Sequence, residues 1–157
     1  MKNVSYKPEG YNSVSPALAF KGAPKAIKWY VDNLGAQEKM RFNMPDGTIA
    51  HAEITIGDSV VMLAEENLEH NKTPKTLKGN SVNLCVYLPD VDAVIKKAES
   101  NGAKVLIPAA DQFYGDRSGR IEDPFGYVWI LSTHIKDMSE EEMKRAMDEM
   151  MTHQQPA

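Results

Sequence analysis

The segment Ile27-Lys28-Trp29-Tyr30-Val31-Asp32-Asn33-Leu34-Gly35-Ala36 returns in altered form as Val94-Ile95-Lys96-Lys97-Ala98-Glu99-Ser100-Asn101-Gly102-Ala103. Apolar residues fall at helical spacing in both: Ile27, Tyr30, Val31 and Leu34 in the first, Val91, Val94, Ile95 and Ala98 around the second. Each stretch leaves through Gly-Ala, where glycine supplies the left-handed residue that stops a helix. Runs of strand character precede and follow both helices. The chain therefore reads as one βαβββ module used twice, at about 11–66 and 80–135, within a mixed α+β fold.

In the first module a strand over Val14–Phe20 leads to a helix over 24–34, with Pro24 in its first turn. Strands follow at 37–44, 48–56 and 59–64, joined by the tight turn Met44-Pro45-Asp46-Gly47-Thr48 and by Gly57-Asp58. Residues 65–79 carry no core-forming period and read as a connector. The second module begins with a strand at 81–88, and Asp90 caps a helix at 91–101. Strands at 104–107, 114–122 and 127–133 complete it, the last two joined by Asp123-Pro124-Phe125-Gly126. Residues 1–10 form a polar arm, and 136–157 hold a further helix and a tail. A capping box, Ser139-Glu140-Glu141-Glu142, opens that helix over about 139–151, and Met143, Ala146, Met147 and Met150 share one stripe of it.

Composition narrows the function classes. Eighteen Lys and Arg against 22 Asp and Glu give a net charge of −4, with no long basic run, which argues against nucleic acid or an anionic membrane as partner. No stretch approaches the roughly 18 apolar residues of a membrane span. The one cysteine, Cys85, permits no intrachain disulfide, and no CxxC or Cys/His cluster marks a structural zinc site. With no signal-peptide pattern at the start, a reducing, cytoplasmic location is expected, and a small organic ligand is the expected partner.

The phrases Met44-Pro45-Asp46-Gly47, His51-Ala52-Glu53-Ile54, Ile56-Gly57-Asp58-Ser59, Asp111-Gln112-Phe113-Tyr114-Gly115-Asp116-Arg117 and Glu122-Asp123-Pro124-Phe125-Gly126 sit within these paired modules. Together they resemble the PhnB-like branch of the vicinal oxygen chelate superfamily, home of glyoxalase I, bleomycin-resistance proteins and extradiol dioxygenases. The resemblance covers about residues 11–135. It implies a cupped mixed sheet with helices outside, a ligand or metal in the concavity, and a homodimer whose pockets use both chains. By the family's spacing, metal-ligand positions fall on Ser15, Met62, Asn83 and Ile130, which offer at best a hydroxyl and an amide. A catalytic divalent metal needs about three or four His, carboxylate or thiolate donors. Glyoxalase I and iron-dependent dioxygenase activities are thus disfavoured and no cofactor is expected; a divalent metal in an unusual site is the alternative.

Strand parity points to the lining of the concavity. About the Gly57-Asp58 hairpin, Ile54, Ile56, Val61 and Leu63 share an apolar face expected beneath a helix, while His51, Glu53, Thr55, Val60 and Met62 share the other. Along 81–88, Asn83, Cys85 and Tyr87 lie opposite Val82, Leu84, Val86 and Leu88. His51 and Glu53 point the same way about 6–7 Å apart and can share a ligand. Pairing Met44 with Thr48 sets Arg41 opposite His51 and Lys39 opposite Glu53, so ion pairing or substrate hydrogen bonding competes with acid/base work and with metal ligation. Tyr114, Asp116, Arg117 and Arg120 form a second polar group, in which Arg117 either forks onto a ligand anion or pairs with Asp116 or Glu122. Trp129 is either pocket wall or core. The candidate pocket is Ser15, Arg41, His51, Glu53, Met62, Asn83, Tyr87, Tyr114, Arg117, Trp129 and Ile130. Two functions fit it: a metal-free binding protein that sequesters or carries an organic molecule, or an enzyme of lyase, isomerase or dioxygenase type using Glu53 and His51 as catalytic groups.

Overall fold

The computed structural model describes residues 4–153; the start of the arm and the tail after His153 lie outside the described residues. The chain divides into two compact units that meet in sequence at Asn80 and Ser81. The first contains β1 (Ala17–Phe20), α1 (Ala23–Leu34), β2 (Gln37–Asn43), β3 (Ile49–Ile56), β4 (Ser59–Glu65) and a short helix α2 (Pro74–Leu77). The second contains β5 (Asn83–Tyr87), α3 (Val91–Ser100), β6 (Lys104–Asp111), β7 (Asp116–Glu122), β8 (Val128–His134) and α4 (Glu140–His153). Each unit forms a four-stranded mixed sheet, in the orders β1-β4-β3-β2 and β5-β8-β7-β6. The first strand of each module pairs parallel with the last, and the remaining pairs are antiparallel.

The repeated helix does the same work twice. In the first unit α1 buries Ala23, Ala26, Ile27, Tyr30 and Leu34, and the Tyr30 ring meets Phe20 of β1 edge-on at 5.9 Å. In the second, α3 buries Val91, Ile95 and Ala98 where Ile121 and Leu131 are also sealed from solvent. Contact there is close enough to demand a glycine: a Cβ at Gly119 would lie 2.7 Å from Ile95 Cδ1 and 2.9 Å from the Ile107 carbonyl. The helix starts are tied down by the final strands. Glu65, ending β4, accepts from the backbone N–H groups of Gly22 and Ala23 at 2.9 and 2.8 Å. Thr133 of β8 accepts from Val91 N–H at 2.9 Å.

Several boundaries differ from expectation. β1 begins at Ala17 rather than Val14. β6 continues through Pro108 to Asp111 instead of stopping at Ile107, because it is an outer strand whose register shifts absorb the proline. The connector holds α2, whose N-cap Thr73 accepts from Thr76 N–H. The capping box of α4 forms as the sequence predicts, Glu142 N–H donating to Ser139 Oγ at 3.2 Å and Ser139 N–H to Glu142 Oε2 at 2.8 Å.

The pairing of β2 with β3 is corrected in its middle. Met44 N–H does reach the Thr48 carbonyl, but register shifts between Phe42 and Asn43 and between Glu38 and Met40 offset the strands. Met40 therefore lies opposite Glu53, Arg41 opposite Ala52 and Phe42 opposite His51.

Candidate functional site

Strand pairing assigns the faces. Ala52 and Ile54 oppose Leu63 and Val61 on the apolar side, and Glu53 and Thr55 oppose Met62 and Val60 on the other. On that second face Glu53 is only 4% exposed. Tyr11, from the segment preceding β1, donates its hydroxyl to Glu53 Oε2 at 2.5 Å, and His51 Nε2 lies 3.1 Å from Oε1. The His51 ring stacks on Phe42. Lys39, the residue extruded by the shift in β2, brings its ammonium within 3.5 Å of Glu53 Oε2 and 3.4 Å of the Tyr11 ring centroid. Burial alone would raise the Glu53 pKa; hydrogen bonds from Tyr11 and His51, then the charge of Lys39, outweigh it and hold the carboxyl below its ordinary range. Beside this group Tyr11, Ser15 and Met62 line a cavity of about 380 Å³ with Tyr6, Lys7 and Pro8.

The second unit carries a similar constellation in a different place. Asp116, the first residue of β7, is 4% exposed. Tyr87 donates to its Oδ2 at 2.8 Å, and His134 Nδ1 lies 2.7 Å from Oδ1. The other imidazole nitrogen is 3.0 Å from Asp137 Oδ1. Asp116 and then Asp137 raise the His134 pKa, and the hydrogen bond to Asp116 pushes the Tyr87 phenol to about 12, so that phenol keeps its proton at neutral pH. A cleft of about 700 Å³ opens here, lined by Tyr87, Tyr114, Asp116 and His134 together with Asp137, Met138, Ser139, Glu142 and Met143.

The remaining candidates separate. Ser15 and Met62 border the first cavity, and Tyr87 and Tyr114 the second. Asn83 opposes Val128 and Ile130 opposes Cys85, on the same face as Tyr87 but outside the lining of the cleft. Three candidates make other contacts. Arg41 turns to the side of Ala52 and clasps Glu38 at 2.7 and 2.9 Å. Arg117 faces α3, forking onto Asp92 at 2.6 and 2.9 Å and reaching Asp111 at 2.8 Å. Trp129 pairs with Leu84 and Ile121 on the buried, helix-facing side and donates Nε1–H to Asp123. Conversely Tyr11 and His134, both central to the geometry, carry no local signal beyond their residue type. Tyr11 lies before the first strand and His134 ends the last one, so their partners are fixed only by tertiary structure.

The profile of the Glyoxalase/Bleomycin resistance protein/Dioxygenase superfamily matches residues 14–131. The chain belongs to that superfamily. Among superfamily relatives, an uncharacterized protein of Mycobacterium bovis is 34% identical over 139 residues, 86% of this chain and 91% of that protein. An uncharacterized protein of Mycobacterium tuberculosis has the same identity over 86% of this chain and 82% of its own length. Solved superfamily-like structures share the fold. TioX from a Micromonospora species has a TM-score of 0.59 at 24% identity, covering 78% of this chain and 99% of its own. The PhnB protein from Bacillus cereus has a TM-score of 0.61 at 20% identity, covering 78% and 99%. Tyr11 and His134 both lie just outside the matched span, Tyr11 before β1 and His134 at the end of β8.

Proposed function

We propose that this superfamily member binds a small organic molecule on the Glu53 face of the first unit and sequesters or carries it rather than transforming it. The observation that carries the reading is Glu53 itself: a buried carboxylate, hydrogen-bonded by Tyr11 and His51 beside a cavity that Tyr11, Ser15 and Met62 line. A carboxyl held below its ordinary pKa accepts hydrogen bonds well and is a weak general base near neutrality, which favours binding over the acid/base alternative. The donor set does not fit a catalytic metal. Ser15, Met62, Asn83 and Ile130 present a hydroxyl, a thioether, an amide and a hydrocarbon, and among the described residues no three His, Cys, Asp or Glu groups are placed to hold an ion.

A ligand thermal-shift screen with Glu53→Gln as control tests the proposal. A ligand that stabilises the natural chain should stabilise the variant less, with the variant still folded, and zinc, nickel or manganese should leave the melting temperature nearly unchanged. A stoichiometric metal on His51 and Glu53 would overturn the reading. We also infer a homodimer, since Met147, Met150 and Met151 of α4 are exposed and no other described element packs broadly against that helix.

A further inference from the structure

The cleft of the second unit is largely built by residues beyond the superfamily match: His134 ends β8, and Asp137, Met138, Ser139, Glu142 and Met143 follow it. Its charge is lopsided. Three carboxylates, Asp116, Asp137 and Glu142, line it against one imidazole, His134, with Lys136 and Arg145 near Glu142. Asp116 is fully engaged by Tyr87 and His134. Asp137 gives one oxygen to His134 and is otherwise open to solvent, and Glu142 accepts from the Ser139 amide. A bare metal ion is a poor fit, because no three His, Cys, Asp or Glu groups among the described residues converge. The rest of the wall is aromatic and thioether: Tyr87, Tyr114, Met138 and Met143. Rings and polarizable sulfur suit a cation whose charge is wrapped in carbon, whereas the same carboxylates repel an anion.

We propose that this cleft is a binding site for a small organic ammonium with an aromatic or branched apolar body, recognised by Asp137 and Glu142 through charge and by Tyr87, Tyr114 and the methionines through its body. The site is separate from the Glu53 cavity, so either can fail without the other.

Benzyltrimethylammonium, benzyl alcohol and benzoate are the probes, titrated into the full chain and followed by methionine-methyl NMR. The ammonium should give saturable shifts at Met138 and Met143, the alcohol weaker ones and benzoate none. Asp137→Asn or Glu142→Gln should each weaken the ammonium about threefold, and the pair about tenfold, with the alcohol unaffected. Glutamine retains the capping box, and a circular dichroism spectrum checks the fold. A measurement free of variants is salt: about 0.5 M sodium chloride should weaken the ammonium and spare the alcohol. Benzoate binding as tightly as the ammonium, no saturation by about 10 mM ammonium, salt-insensitive binding, or shifts confined to Met62 would each overturn the proposal.

Discussion

At the residue scale, Tyr11 and Glu66 show how single polar contacts hold the first unit. Tyr11→Phe removes a hydroxyl from the buried Glu53 carboxylate and should destabilise the fold by about 1–2 kcal/mol in urea unfolding, since the acceptor is left short of a partner. An unchanged midpoint would mean that the segment before β1 does not dock there in solution. Glu66 accepts from Thr73 N–H at 2.8 Å and Thr73 Oγ1 at 3.0 Å and lies 3.2 Å from Lys21. The hydroxyl of Thr76 and the Thr73 amide lead in lowering its pKa, from 4.5 to about 2. A carboxyl depressed on folding contributes stability above its unfolded pKa and loses it as pH falls through the folded one. Glu66→Gln should therefore unfold at lower urea than the natural chain at neutral pH, and the gap should close between about pH 4.5 and pH 2.

At the element scale, the junction from β8 into α4 is pinned through His134. Gly115 O accepts from both Ile135 and Lys136 N–H at 3.0 Å, and a side chain at Gly115 would run into the Lys136 carbonyl. Because folding raises the His134 pKa, its contribution is complete below the unfolded value near 6.5 and disappears as pH rises through the folded one. Amide exchange over 135–139, corrected for intrinsic rate, should quicken as pH rises past neutrality, and His134→Gln should abolish that dependence. In the sheet, Gly119→Ala should cost about 1–3 kcal/mol by forcing α3 off β7, and Ile95→Val beside it should recover part of the loss; an additive double variant would count against the close contact. Both helices and their Gly-Ala exits were legible because period and stop signal are local. The faces of β3 and β4 were legible too, since the short Gly57-Asp58 turn fixes parity. Arg41 was misplaced because the register shifts within β2–β3 leave no mark in the sequence, and they cancel: the pairing is right at Asn43 with Ile49 and wrong from Phe42 to Met40. The ion-pair partners of Arg117 were not legible, because Asp92 and Asp111 come from other elements.

At the scale of the whole molecule, light scattering at micromolar concentration should return twice the 17.5 kDa chain mass, and Met147→Lys with Met150→Lys should shift it toward the single-chain value; a clean monomer in the natural chain would remove the dimer. No described helix is long and apolar enough to cross a membrane. Among the described residues, no buried side-chain nitrogen or oxygen lacks a hydrogen-bond partner. A guest that displaces Tyr11, Tyr87 or a histidine from Glu53 or Asp116 trades one polar contact for another of similar strength. Such an exchange has little net enthalpy of its own, so among guests of one charge selectivity falls to the part that touches carbon, and calorimetry should find heats that track its apolar bulk through a negative heat-capacity change.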